Sequence, residues 1–254
     1  MAAFDLDRAD ALRAADPEGM LGLVEDFEEQ CRRAVDLGSR APVPERGEVR
    51  AVVMAGMGGS AIGGDLLRTC LAPVLGVPWV VHRDYGLPAW VGPDTLLLVG
   101  SYSGNTEETL SAFEEGVRRG ATVVCLASGG TMAERARALG LPPVEVPAGL
   151  PPRAALGYSF FPLAVLLTRM GLAAIPGGDI EEALAEIGRS RVRWGRERSV
   201  DENGAKTLAH ALVGSLPVVY SADGVLSSVA LRWKGQFNEN SKTLAYVNVF
   251  QEVD

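Results

Sequence analysis

The sequence predicts an α/β fold, with parallel strands covered on both faces by helices. Two apolar runs suited to buried strands, Val52–Val53–Met54–Ala55 and Thr95–Leu96–Leu97–Leu98–Val99–Gly100, are each followed by a glycine- or serine-rich turn and then a helical pattern. Strand-like and helix-like stretches go on alternating to about residue 146, as parallel sheets require of their crossover connections. Hydrophobic residues make up 47% of the 254 positions, ample for a sizeable core.

In chain order, residues 12–37 read as one or two amphipathic helices, with a break near Ala15–Asp16 because Pro17 suits a helix start. Residues 40–50, with Pro42 and Pro44, read as a linker. The first strand leads through Gly56, Gly58 and Gly59 to Ser60 and a helix over 61–71. A short strand at 77–81 runs into His82–Arg83–Asp84–Tyr85; Arg83 and Tyr85 could reach a ligand, but an exposed loop salt bridge is the reading favoured for them. After the second strand a helix over 106–119 stops at Gly120, a residue suited to the left-handed position that closes helices. A strand at 121–126, a helix at 132–139 and a short strand at 144–146 follow, and residues 149–152 break the pattern. Helices are expected over 154–170 and 179–194. A fainter repeat of the first half comes next: a strand at 216–220, a turn at 221–224, a helix at 225–240 and a last strand at 244–250.

A net charge of −8 argues against a nucleic-acid surface, so any anion must be held by local dipoles and hydroxyls. Cys31, Cys70, Cys125, His82 and His210 lack ligand spacing, so reduced thiols and no metal site are expected. Acidic residues stand where a signal peptide needs basic and then apolar ones, and no apolar run reaches membrane-spanning length. A cytoplasmic location is the resulting expectation.

The two turns carry the chemistry. Backbone N–H groups at a helix start lack internal partners and lie at the positive end of the helix dipole. At Gly58–Gly59–Ser60 the glycines let a ligand approach, and Ser60 can cap the helix or donate to a phosphate oxygen. A tight turn that binds nothing explains that stretch equally well. The second turn shifts the balance: Ser101, Ser103 and Thr106 place three aliphatic hydroxyls within six residues, where capping needs one. Neither turn matches a Walker or G-x-G-x-x-G pattern, so a small phosphate ester is favoured over a nucleotide.

GMGGSAIGGD followed by SYSGNTEET resembles the sugar isomerase (SIS) domain, a phosphosugar-binding module with a flavodoxin-like fold. Pro152–Arg153–Ala154–Ala155–Leu156 and the segment from Arg232 to Lys242, RWKGQFNENSK, resemble the dual-specificity phosphoglucose/phosphomannose isomerase branch. The resemblance implies two tandem SIS-type subdomains, the second apparently incomplete: N-terminal helices over 1–40, a first subdomain over 41–152, then connecting helices and a shortened second subdomain over 153–254. It implies an aldose–ketose isomerase interconverting glucose 6-phosphate or mannose 6-phosphate with fructose 6-phosphate through an enediol, without a cofactor. SIS proteins commonly build their sites at a two-chain junction, so a homodimer is expected.

Proton transfer between C1 and C2 needs a carboxylate, and the enediolate oxygens need a cation. Glu239, between Asn238 and Asn240, is the best-placed carboxylate, although NENSK alone would read as a solvated helix end. By resemblance Glu239 matches the family's base and Arg153 the cation near the enediolate. Read as a helix-start residue, Arg153 is electrostatically misplaced, which itself hints at a function. In the resembled family the last strand leads into a histidine that assists ring opening, and a lysine comes later. Here Gln251–Glu252–Val253–Asp254 stands at that point, and neither His82 nor His210 lies in a matching motif. The expectation is either a truncated sequence or a site that keeps its base and phosphate cradle without the ring-opening groups. In both cases turnover by these 254 residues alone is not assured. Two other readings remain: a non-catalytic phosphosugar-sensing module, and an SIS isomerase of another sugar phosphate.

Overall fold

The computed structural model describes residues 4–45 and 47–250. Three helices, α1 (Ala9–Ala15), α2 (Met20–Glu25) and α3 (Phe27–Arg40), precede the first strand, where the sequence predicts one or two. The break falls at Asp16, whose carboxylate accepts the N–H groups of Met20 at 2.7 Å and Leu21 at 2.8 Å. Those donors at the start of α2 would otherwise be unpaired.

The central sheet holds β1 (Ala51–Gly56), β2 (Trp79–His82), β3 (Thr95–Gly100), β4 (Thr122–Ala127) and β5 (Val144–Glu145). All pair in parallel in the order β2-β1-β3-β4-β5, the flavodoxin-like arrangement. Alternate strand residues point to opposite faces. Val52, Met54, Leu96 and Leu98 join Cys31 and Ala34 of α3, Leu67 of α4 (Gly58–Leu71) and Leu163 and Leu166 of α7 (Leu156–Arg169). Val53, Ala55, Leu97 and Val99 face Ala112 and Phe113 of α5 (Glu107–Arg118) and Met132 and Ala136 of α6 (Gly130–Ala138). Leu96, Leu97 and Leu98 are wholly buried, each worth about 1.5–3 kcal/mol of apolar transfer. Both faces are therefore dry, which explains continuous apolar strands instead of alternating ones.

After α7 come α8 (Gly177–Trp194) and α9 (Gly204–Leu212), the latter not anticipated from the sequence. Its cap is Asn203, whose Oδ1 accepts from Ala205 and Lys206 at 3.0 and 3.2 Å. A second, two-stranded parallel sheet pairs β6 (Val218–Ser221) with β7 (Tyr246–Val249) across α10 (Val225–Asn240). Leu216, Val218, Tyr220, Leu244, Tyr246 and Phe250 around it are each at least half exposed. Residues 251–254, at which the sequence leads one to expect a departure from the resembled family, lie outside the described residues. No described helix is long and apolar enough to cross a membrane.

Candidate active site

β1 and β3 are in register with Gly56 opposite Gly100, so the turns that follow them leave the same sheet edge side by side. A third turn, Ser128–Gly129–Gly130–Thr131, follows β4 beside them, and α4, α5 and α6 all start at this edge. Three positive dipole ends thus face one region, against the negative net charge of the chain.

In the first turn the helix begins at Gly58, three residues before the expected start. Met57 is the cap position and no side chain caps the helix, so the expected capping by Ser60 is not realised; Ser60 lies inside the first turn. Its N–H donates to the Met57 carbonyl at 3.0 Å, whereas the N–H groups of Gly58 and Gly59 have no acceptor among the described residues. Gly58 has φ +48° and faces open space. These two amides are the ones free to meet an anion. Ser60 is 8% exposed, and its Cβ stands 3.5 Å from where a Cβ on Gly100 would be, which brings the two turns together.

In the second turn, Ser101 is 2% exposed and donates its hydroxyl to Thr106 Oγ1 at 3.0 Å; its Oγ also faces the Thr106 N–H at 3.5 Å. Ser103 is exposed, and its Oγ accepts the Asn105 N–H at 3.3 Å. The third turn braces the second: Met132 N–H donates to Gly104 O at 2.9 Å and Thr131 N–H to Asn105 Oδ1 at 3.0 Å. Arg83 forms an ion pair with Asp65 of α4, whose side chain is 11% exposed, so the expected exposed loop bridge is instead partly buried. The Tyr85 hydroxyl donates to Glu107 at 3.1 Å.

Arg153 does not start α7. It sits in a separate 3-10 turn, Pro152–Ala154, and α7 begins at Leu156, so the argument from a repelling helix dipole does not apply to it. The turn rests on the first anion loop: a Cβ on Gly59 would stand 2.7 Å from Pro152 O, an approach only glycine permits. Buried Gln30 of α3 brackets the turn, donating to Ala154 O and accepting from Gly157 N–H, both at 2.8 Å. Arg232 of α10 donates to the Arg153 carbonyl. The Arg153 side chain, 22% exposed, donates from Nε to Asn240 Oδ1 at 2.7 Å and reaches Glu18 at 3.4 Å.

Asn240 follows Glu239 directly in sequence, so Arg153 is tied to the residue after Glu239 at the exposed end of α10. Burial pushes the Arg232 guanidinium below its ordinary pKa, and the charge of Glu239 opposes that shift. Among the described residues no hydrogen bond joins Ser101, Ser103 or Thr106 to Arg153 or Glu239. The Tyr102 hydroxyl donates to Pro147 O at 2.7 Å and accepts from Leu150 N–H at 3.0 Å, three residues before Arg153. The sequence assigns no individual task to Gln30, Tyr102 or Arg232, although the latter two lie in motifs that carry the resemblance. Pro151 and Pro152, between Leu150 and Arg153, are the available signal that this turn is held rigidly.

A family model described as "Bacterial phospho-glucose isomerase C-terminal SIS domain" matches residues 201–254. The bifunctional phosphoglucose/phosphomannose isomerase of Caldicellulosiruptor bescii is 42% identical over 236 residues, 92% of this chain and 70% of that protein. The chain belongs to the bifunctional phosphoglucose/phosphomannose isomerase family.

Its counterpart from Aquifex aeolicus is 40% identical over 205 residues, covering 80% of this chain and 60% of that protein, so the chain spans less than two thirds of this second family member. Solved structures agree on the fold. A hypothetical protein of Thermus thermophilus superposes with TM-score 0.67 at 20% identity, covering 97% of this chain and 64% of the other. The tagatose-6-phosphate ketose/aldose isomerase of Escherichia coli superposes with TM-score 0.59 at 15% identity, covering 90% and 66%. Within the family assignment, α9, β6, α10 and β7 fall in the matched C-terminal SIS segment, and Glu239 with them.

Proposed function

We propose that this chain is an aldose–ketose isomerase acting on 6-phosphorylated hexoses, interconverting glucose 6-phosphate or mannose 6-phosphate with fructose 6-phosphate. The phosphate sits among Gly58, Gly59, Ser60, Ser101, Ser103 and Thr106, held by free amides and hydroxyls at the helix starts. Glu239 carries the proton between C2 and C1, and Arg153 stabilises the enediolate oxygens. The observation that carries this reading is the position of Arg153: its turn lies on the first anion loop while its side chain is tied to the residue after Glu239.

The supporting relatives bear the bifunctional name, and hydroxyl selectivity between the two aldoses is left to the pocket. We also read the chain as N-terminal helices, a first SIS subdomain over 41–152 and connecting helices with a second one. It works as a homodimer, for which the exposed apolar surface around β6 and β7 is a candidate interface. A cytoplasmic location suits the three unpaired thiols.

The test is solvent isotope exchange. The chain is incubated with fructose 6-phosphate in deuterated water, and label at C2 of the aldose is followed by NMR. Glu239→Gln keeps shape and hydrogen bonding but removes the base, so exchange should fall about 10²–10⁴-fold while phosphosugar affinity stays nearly constant. Undiminished exchange in Glu239→Gln would assign the base elsewhere. Tight binding with no exchange in the unmodified chain would favour a sensing module. Sedimentation at monomeric mass would remove the dimer.

A further inference from the structure

We propose that Tyr102 is a positioning residue that couples the phosphate cradle to Arg153, so that the serine turn sets where the enediolate's cation stands. The proposal rests on the isomerase reading of Arg153 and adds a residue to it.

Tyr102 lies between Ser101 and Ser103, so its backbone belongs to the cradle. That backbone is fixed: its carbonyl accepts the Ser128 N–H at 2.9 Å and the Ser128 hydroxyl at 2.6 Å. Its ring packs against the core on the α3–α7 side of the sheet. Its hydroxyl closes a loop around 147–150, donating to Pro147 O and accepting from Leu150 N–H. Burial raises the phenol above its ordinary pKa, so the group stays a neutral hydroxyl able to do both.

From Leu150 to Arg153 the chain passes through Pro151 and Pro152. Proline rings lock φ, and a residue before proline is restricted as well. Pro151 sits at φ −63°, ψ 138°, and Ala154 N–H donates to Pro151 O at 2.8 Å. The stretch is therefore a stiff rod, and a shift at Leu150 arrives at Arg153 instead of dissipating. Gly59 in the other anion loop touches the same rod at Pro152. Both phosphate loops thus bear on the cation, an arrangement through which phosphate binding energy can be used at the reacting carbons.

The experiment compares two ligands by titration calorimetry. A five-carbon aldonic acid 5-phosphate places a carboxylate where the enediolate would form; the matching alditol 5-phosphate keeps the phosphate and lacks that charge. The unmodified chain should prefer the aldonate. Tyr102→Phe should weaken the aldonate about ten-fold and the alditol less than about two-fold, the scale of one or two neutral hydrogen bonds. In an Arg153→Ala background Tyr102→Phe should have no further effect on the aldonate, because residues acting as one unit are non-additive. Equal weakening of both ligands, or a full additional loss in the Arg153→Ala background, would make Tyr102 merely structural and overturn the coupling. If the unmodified chain does not prefer the aldonate, or Arg153→Ala leaves its affinity intact, the reading of Arg153 falls, and the coupling with it.

Discussion

The guanidinium Nε–H of Arg153 donates to Asn240 Oδ1 at 2.7 Å, across 87 residues of sequence. This bond joins the Pro152–Ala154 turn to the end of α10, immediately beside Glu239. Its charged partner, Glu18, is 3.4 Å away with a side chain 76% exposed, which makes a weak anchor. Asn240→Ala should therefore leave Arg153 free to swing. Losing one charge-assisted hydrogen bond costs about 1.5–3 kcal/mol, so isomerase turnover should drop about ten- to hundred-fold. Phosphosugar affinity, read by calorimetry, should change little, because Asn240 touches neither anion loop. An unchanged turnover would show that Arg153 is held without Asn240.

Gly58 and Gly104 both have positive φ, +48° and +71°, yet they should respond differently to substitution. A Cβ on Gly58 meets nothing within 4 Å, whereas a Cβ on Gly104 would fall on the Gly129 carbonyl of the third turn. Gly58→Ala should cost about 1–2 kcal/mol for the left-handed backbone alone and should weaken phosphosugar binding, since the methyl group enters the open space before the free amides. Gly104→Ala adds a backbone clash that no rotamer relieves. Its loss should exceed that of Gly58→Ala by at least about 2 kcal/mol in urea unfolding.

Local pattern made much of this fold legible. The runs VVMA and TLLLVG are wholly apolar because both sheet faces are covered, and α10 occupies the residues its pattern predicts, 225–240. The helix after β1 starts earlier than expected because two glycines lower its propensity, and the contact of Gly59 with Pro152 overrides that preference. Candidate groups on the loops could be named from residue type alone. The residues that hold them could not. Gln30 acts through partners 124 and 127 residues away, and Tyr102 through partners 45 and 48 residues away, and nothing in the surrounding sequence marks either side chain as a strut. Helix α9 was missed because it is only nine residues long and its cap, Asn203, stands in a charged stretch.

Glu25 of α2 and Arg196 form a two-pronged pair, with Nε to Oε1 at 2.5 Å. The arginine's hydrogen bond holds the Glu25 carboxyl below its ordinary value of 4.5. A depressed carboxylate contributes stability that is fully present above the unfolded pKa and is lost as pH falls through the folded one. At pH 7, Glu25→Gln should lower the melting temperature. With the Arg196 side chain 34% exposed, the loss is about 1 kcal/mol or less, or roughly 1–4 °C for a chain of this size. As pH falls below 4.5 and on through the lower folded value, the two melting curves should draw together as Glu25 protonates. A gap that is constant from pH 7 to pH 3 would mean that the pair adds no pH-linked stability.

Ser101 and Ser103 share a turn but not a task. Ser101 is buried, donates to Thr106 Oγ1 and faces the Thr106 N–H, so it secures the start of α5 whether or not a ligand is present. Ser103 is exposed, and its hydroxyl hydrogen is free to turn toward a phosphate. Ser101→Ala should cost about 0.5–2 kcal/mol of stability, as lost helix caps do, and should weaken phosphosugar binding as well. Ser103→Ala should stay within about 0.5 kcal/mol of the unmodified chain in unfolding, as exposed substitutions usually do, yet still lose affinity. A single dipole- or charge-assisted contact is worth about 0.3–2 kcal/mol, so each variant should bind fructose 6-phosphate roughly two- to thirty-fold more weakly. The double variant should lose more than either alone. Calorimetric titration paired with urea unfolding separates the two effects. Unchanged affinity in the double variant would remove the second loop from the phosphate site, and a stable Ser101→Ala protein would remove its structural role at α5.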